Sequence, residues 1–190
     1  MKVNLKKLFL LLALLLIAPD PAVLGETSGE TSWQHIESRY TIIKCETLKS
    51  LERFDDNIDF SPGEWGLKSL FSFSTSKDPI VSIKEKVDAL FERVQETLDM
   101  RIRMKKVFIV IYPNKNRFHE VRKKMAGEYF GFRSWYIFEH NTIYINAHDI
   151  HEGILAHEMA HAIIDHYLTI RPPKATAEIL ARYVDKHLYY

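Results

Sequence analysis

Cysteine is almost absent from this sequence, which has Cys45 alone among 190 residues. One thiol cannot form a disulfide within the chain, so a disulfide-bonded scaffold is excluded. The sequence also lacks a glycine-rich phosphate loop, a serine-nucleophile motif and any internal repeat. No local signature of a cysteine nucleophile surrounds Cys45, and we predict that this thiol is buried. The chain therefore carries no local pattern of a P-loop enzyme, a serine hydrolase or a repeat protein.

An excess of charge of either sign is absent as well. Lysine and arginine together number 26, aspartate and glutamate number 25, and the formal net charge is +1. A nearly neutral chain gives no reason to expect nucleic acid as a partner. With 46% hydrophobic and 27% charged residues, the composition is that of a globular protein. At this length we predict a single domain, over residues 37–190.

The longest apolar run is short and lies near the N-terminus, at residues 8–18. It is too short to cross a membrane comfortably as a helix. It follows a basic start made by Lys2, Lys6 and Lys7. This order predicts a signal peptide over residues 1–25, with cleavage near Gly25 and Glu26, followed by a polar leader over 26–36. We expect a secreted or periplasmic protein, and the alternative is membrane anchoring by an uncleaved N-terminal segment.

The most informative stretch is His157-Glu158-Met159-Ala160-His161, which reads H-E-x-x-H. Its neighbours are small and apolar, which predicts a buried helix over residues 153–164. Residues four apart lie on one face of a helix, so His157 and His161 can bind one metal ion, typically zinc. Glu158 lies about 100° further round the helix. There it can act as a general base on metal-activated water. The alternative is a core helix that contains this pattern by coincidence.

A catalytic zinc site usually has a third protein ligand. The metzincin pattern is excluded because Tyr167 stands where its third histidine would be. Asp165 lies one turn beyond His161 and is better placed to reach a ligand histidine than the metal. The best candidate is Glu178, on a second helix that would follow the break at Pro172-Pro173. The alternative for Glu178 is an ordinary glutamate in the first turn of that helix.

The rest of the chain predicts an α+β fold. Alternating or continuous apolar runs predict strands, and apolar residues at every third or fourth position predict helices. The predicted strands are 40–45, 107–112 and a hairpin of 132–139 with 142–146, and the predicted helices are 47–57, 79–100, 114–125 and the two of the metal site. We expect a small mixed sheet of about four strands with helices packed on one face. Asp149 and Glu152 predict a capping box at the start of the H-E-x-x-H helix.

The H-E-x-x-H helix followed by a glutamate on a second helix resembles the gluzincin metallopeptidases, in particular their small peptidase-MA-like domains. The likeness covers about residues 107–188 and includes the hairpin before the motif. It implies a zincin-like active helix and a glutamate helix, with one zinc ion per chain. The ligands would be His157, His161 and Glu178, the base would be Glu158, and the reaction would be hydrolysis of a peptide or protein substrate.

The resemblance also implies a role for the strand before the active helix. In gluzincins an edge strand at this place holds extended substrate through backbone hydrogen bonds. The residues implied are Thr142, Ile143, Tyr144, Ile145 and Asn146, or their hairpin partner. The neighbouring Trp135 and Tyr136 belong either to the core or to the wall of the cleft.

Further residues acquire candidate roles if the chain is a gluzincin. Asp165 and Asp185 are candidates to orient a ligand histidine through its other ring nitrogen. Tyr183 and His187 are candidates to stabilise the oxyanion. The sequence ends at Tyr190, soon after the glutamate helix, so we expect much of the usual gluzincin cleft to be absent or to be built from N-terminal segments.

Two other functions stay open at the level of the sequence. One is an envelope binding protein that carries zinc on the same fold and is weakly active or inactive. Such a protein would have no need of a base at Glu158. The other is a latent peptidase, in which the leader or residues 59–78 cover the cleft until they are removed.

Overall fold

The computed structural model describes residues 33–60, 78–127 and 131–189. The predicted signal peptide, residues 1–25, lies outside the described residues, as does most of the predicted irregular segment, at 61–77. In the three ranges that are described, no helix is both long enough and apolar enough to cross a membrane.

Five strands of the described chain form one mixed sheet. They are β1 (Gln34–Glu37), β2 (Thr41–Cys45), β3 (Val107–Tyr112), β4 (Ser134–Ile137) and β5 (Thr142–Asn146). Their order across the sheet is β1-β2-β3-β5-β4. The three central strands are parallel, and β1 and β4 are antiparallel to their neighbours at the two edges.

The predicted strands are confirmed, but the expected number of strands was too low. The fifth strand is β1, which lies within the predicted leader, and its Ile36 is buried opposite Ile43 of β2. The leader therefore ends earlier than residue 36. A four-residue strand with one buried side chain gives too little periodicity to be separated from a polar segment.

Five α-helices lie in the described residues, close to their predicted positions. They are α1 (Leu48–Asn57), α2 (Pro79–Thr97), α3 (Lys115–Ala126), α4 (Glu152–Tyr167) and α5 (Lys174–His187). The side chains of Thr47, Asp78 and Asn114 cap the first three by accepting a hydrogen bond from a backbone N–H in the first turn. A left-handed glycine, Gly127, ends α3.

The predicted capping box of α4 is wrong. The residue that caps this helix is His151, and its side chain makes no capping hydrogen bond. The carboxylate of Glu152 faces other parts of the chain instead. It accepts hydrogen bonds from the Tyr189 hydroxyl at 2.6 Å and from the Asp59 backbone N–H at 3.3 Å. Glu152 thus ties the start of α4 to two distant segments.

Helices cover both faces of the sheet, not one face as predicted. Ile43, Ile109 and Ile143 lie on the face that packs against α1, α2 and α4 in the main core. On the opposite face Phe118 of α3 packs against Tyr112 and Tyr144, with Trp135 and Val110 alongside. The central strands are apolar on both sides, and such strands need cover on both faces. The last helix, α5, packs along α4 and adds Ala181 and Val184 to the main core.

The stability of this fold should depend on the buried stripe of α2. Leu90 is 0% exposed, whereas Val81 on the same helix is 39% exposed. We expect Leu90→Ala to lower the free energy of unfolding by about 2–5 kcal/mol, because it leaves a cavity in the core. The matched change Val81→Ala should cost less than about 0.5 kcal/mol. Urea denaturation followed by circular dichroism measures both, and equal losses would contradict the burial of this stripe.

Candidate metal centre

The motif histidines lie on the side of α4 that faces α5. The two helices approach closely where their residues are small. A Cβ atom added to Gly153 would lie 2.5 Å from Asp185 Oδ1, so this glycine permits the approach at one end. On α5, Ala177 and Ala181 are buried against α4. The helices run in opposite directions, and this brings Glu178 opposite the two histidines.

Three ligand atoms from the two helices converge. The Nε2 atoms of His157 and His161 are 3.2 Å apart. Glu178 places one carboxylate oxygen 3.5 Å from His157 Nε2 and the other 3.6 Å from His161 Nε2. These three residues form the one group of side chains in the described residues that could hold a metal ion. The structure therefore brings together the predicted ligands, although 17 residues of sequence separate His161 from Glu178.

The separations of these atoms fit a tetrahedral zinc site. Nitrogen and oxygen ligands lie about 2.0–2.2 Å from zinc, so two of them at a near-tetrahedral angle are about 3.2–3.6 Å apart. The 3.2 Å between the two Nε2 atoms matches that range, and each Glu178 oxygen lies at a matching distance from one histidine, 3.5 Å from His157 and 3.6 Å from His161. Three protein ligands leave a fourth position for water or substrate, which is the arrangement of a catalytic site.

Burial favours the protonation state that a metal requires. It lowers the pKa of His157, against the opposing attraction of Glu178 and Asp185. Burial also lowers the pKa of His161, and the neighbouring His157 lowers it further. Both imidazoles are therefore neutral at neutral pH, as ligands must be.

Glu158 is the most buried charged residue near this centre, at 7% exposure. Its Oε1 accepts a hydrogen bond of 2.6 Å from the Ser134 hydroxyl, and a backbone hydrogen bond from Tyr136 also reaches the carboxylate. Loss of hydration raises the pKa of Glu158 to about 7, although these two hydrogen bonds act in the opposite direction. A carboxylate in this state can accept a proton near neutral pH and release it again.

A cavity of about 680 Å³ opens over the three ligands and Glu158. One of its walls is β4, through Ser134, Trp135 and Tyr136. A second cavity of about 320 Å³ adjoins it and shares His157 and Glu158. Trp135 belongs both to the cavity wall and to the core of the opposite face, where its ring stacks on Tyr144 at 4.8 Å.

The prediction that residues 142–146 form an edge strand is wrong. This segment is β5, which pairs with β3 on one side and β4 on the other, so its backbone groups are occupied. All five of its residues, Thr142, Ile143, Tyr144, Ile145 and Asn146, are buried. The edge strand is the hairpin partner β4, which was the stated alternative. The Tyr136 backbone bond to Glu158 indicates that the free edge of β4 faces the cavity.

Asp165 and Asp185 both lie near the ligand histidines, and neither is seen to bond to one. Asp165 accepts hydrogen bonds from the Arg171 guanidinium at 2.9 and 3.0 Å and influences His161 through space. Asp185 lines the smaller cavity and influences His157 through space. The group that hydrogen-bonds the His157 ring is the backbone of Ala181. A backbone carbonyl can fix a ligand histidine as a carboxylate does.

Tyr183 and His187 are not brought to the centre. Their rings stack on each other at 4.0 Å, and His187 Nδ1 contacts the Tyr183 carbonyl at 2.8 Å. Neither residue lines the two cavities at the metal centre. Both lie on α5 beyond Ala181, on the side that turns away from His157.

Sequence reasoning missed two residues of this site. Ser134 holds Glu158, and Arg122 of α3 lines the same cavity. Arg122 lies on α3 among several lysines and arginines, and no motif singles it out. Both reach the centre only through the pairing of β4 with β5 and the packing of α3 on the sheet. No pattern within the sequence marks such contacts.

Comparisons with protein families, with curated proteins and with solved structures found no match to this chain. The gluzincin assignment therefore rests on the residues themselves and stays a prediction. The fold is a mixed α+β arrangement with a five-stranded sheet in the described residues.

The three-ligand site makes a direct prediction about metal content. Purified wild-type protein should hold about one zinc ion per chain. Because losing a residue that merely supports a ligand costs about 10–100-fold in affinity, His161→Ala and Glu178→Ala should each weaken zinc binding at least about 100-fold. Inductively coupled plasma mass spectrometry after dialysis against a weak chelator measures this.

Two control variants identify the third ligand. His166→Ala changes a histidine on the same helix that bonds Asn141 instead of facing the triad, and Asp165→Asn tests the other nearby carboxylate. Both should retain zinc. If Asp165→Asn loses zinc and Glu178→Ala keeps it, the third ligand is Asp165 and not Glu178. If the wild-type protein contains no zinc, the H-E-x-x-H pattern is a coincidence.

Proposed function

We propose that this chain is a zinc-dependent peptidase of the gluzincin type. The observation that supports the proposal most is the convergence of His157, His161 and Glu178 within 3.2–3.6 Å of one another. A buried carboxylate of raised pKa, Glu158, lies beside this group in the same cavity. A site that only stabilised the fold would be closed by a fourth protein ligand and would gain nothing from a buried base.

Each group has a defined task in hydrolysis. When bound, zinc would act as a Lewis acid, which would polarise the scissile carbonyl and lower the pKa of a water molecule. Glu158 would accept a proton from that water molecule while the oxygen of the water bonds to the carbonyl carbon of the substrate. The carbon–nitrogen bond then breaks, and Glu158 would deliver the proton to the leaving amine. Ser134 and the Tyr136 N–H hold the carboxylate in place, so little reorganisation is needed.

The free edge of β4 is the proposed binding site for an extended substrate. An edge that pairs with no further strand in the described residues presents backbone N–H and C=O groups that a peptide can pair with as an added strand, apart from the Tyr136 N–H that already bonds Glu158. This edge borders the cavity that holds Glu158, so a bound peptide bond would lie near the base. Secretion through the predicted signal peptide at residues 1–25 would place this activity outside the cytoplasm.

The base can be tested by Glu158→Gln, which keeps the shape and the acceptor for Ser134 but cannot take a proton. We expect this variant to bind zinc as wild type does and to lose about 10²–10⁴-fold in kcat, the usual contribution of a general base. Cleavage of a diverse peptide library by the zinc-loaded protein, followed by mass spectrometry, measures the activity.

A matched change on the surface controls for charge. Glu139→Gln removes a carboxylate that is 70% exposed, and it should leave turnover unchanged. Turnover of Glu158→Gln at the wild-type level would rule out the mechanism. Zinc binding without cleavage of any peptide by wild type would instead support the zinc-bearing binding protein.

A further inference from the structure

Arg122 lines the cavity and has no part in the proposed mechanism. It lies on α3, which covers the sheet face opposite α4, and it reaches the cavity at the β4 edge. Its guanidinium carbon lies 4.3 Å from the ring centroid of Phe132 and 4.7 Å from that of Trp135. Two aromatic faces thus fix the plane of the guanidinium, which is how arginine is held for planar recognition.

One nitrogen atom of the Arg122 guanidinium lacks a hydrogen-bond partner in the described part of the chain. Its Nε atom is buried and has no hydrogen-bond partner there. Arg122 interacts with Glu158 through space, yet the two do not form an ion pair. Loss of hydration lowers the pKa of Arg122, although an arginine keeps its charge at neutral pH. A partly buried cation without an acceptor is costly unless something binds it.

The charges around the cavity favour an anionic group. Three cations line it, Arg122, Arg171 and Lys174, as do the three carboxylates Glu158, Asp165 and Glu178. Arg171 is bonded to Asp165, and Glu178 faces the ligand histidines. A divalent ion on the triad would make the cavity positive overall. A negatively charged group of the substrate at Arg122 would reduce this excess of positive charge.

We propose that Arg122 is a specificity-determining residue that binds a carboxylate of the peptide substrate. This inference rests on the proposed peptidase function and names its substrate class. The carboxylate is either an acidic side chain or the free C-terminus of the peptide. A planar guanidinium can bind both oxygens of a carboxylate at once, and such paired, charge-assisted hydrogen bonds are stronger than neutral ones.

Zinc-binding ligands that differ in one carboxylate can test the assignment. The probes are three mercaptoacetyl dipeptides that end in glutamine amide, in glutamate amide or in glutamine with a free carboxyl group. Isothermal titration calorimetry of the zinc-loaded full chain gives the Kd of each. We expect one of the two acidic probes to bind at least about tenfold more tightly than the neutral probe. The probe that gains identifies the source of the carboxylate.

The gain should belong to Arg122 alone. In Arg122→Gln the acidic and neutral probes should bind within about twofold of each other. The control Lys123→Gln, which removes an exposed cation of the same helix, should keep the full gain. If Arg122→Gln does not fold, Arg122→Lys provides the comparison, because it keeps the charge but loses the planar fork and should reduce the gain.

The possible results distinguish a failure of the Arg122 proposal from a failure of the proposed peptidase function. Neutral and acidic probes that bind wild type equally tightly would overturn the role of Arg122 and leave the zinc site standing. A gain that survives Arg122→Gln would do the same. If none of the thiol probes binds the zinc-loaded protein, the proposed catalytic site and the role of Arg122 both fail.

Discussion

The packing of α5 against α4 is the contact on which the candidate site depends. Each helix carries only part of the ligand set, so the distance between them decides whether the three ligand atoms meet. Gly153 leaves room for Asp185, and Ala177 and Ala181 let the helices approach near the histidines. A larger side chain at Ala177 or Ala181 would separate the helices, and one at Gly153 would displace the Asp185 side chain. Because zinc–ligand distances vary by only about 0.2 Å, a small shift would leave Glu178 out of reach.

This arrangement is costly for folding. Glu158 and the two imidazoles are largely withdrawn from water, whereas the Glu178 side chain stays 34% exposed. Burial of a charged group is unfavourable unless it is paired or hydrogen-bonded. Hydrogen bonds from the Ser134 hydroxyl and the Tyr136 backbone offset part of the cost of burying the Glu158 carboxylate. The large apolar core formed by the sheet with α1, α2 and α4 supplies the stability that offsets the rest. The site is thus held by the rigid part of the described chain.

The sequence was sufficient to predict the features that depend on residues close together in the chain. Period predicted every helix of the described chain close to its position, and residues four apart placed His157 and His161 on one face. Even Glu178 could be predicted, since a helix break at Pro172-Pro173 leaves few ways for the second helix to return. The predictions about the sheet that were wrong concern contacts between residues far apart in sequence. The order of strands made β4 and not β5 the edge, and the position of α3 on the opposite face was missed for the same reason. The strand β1 was missed because its periodicity is too weak.

The register of β4 links the two sides of the site. Ser134 pairs with Ile145 and Tyr136 with Ile143, so their side chains share the face of β5 that packs against α4. Trp135, between them, points to the other face, where Phe118 and Arg122 meet it. A slip of one residue would exchange the two sets. Only at an edge strand can a side chain from the far layer reach round to the near one. One strand therefore positions the proposed base, offers its free edge to the proposed substrate and supports the arginine proposed to select it.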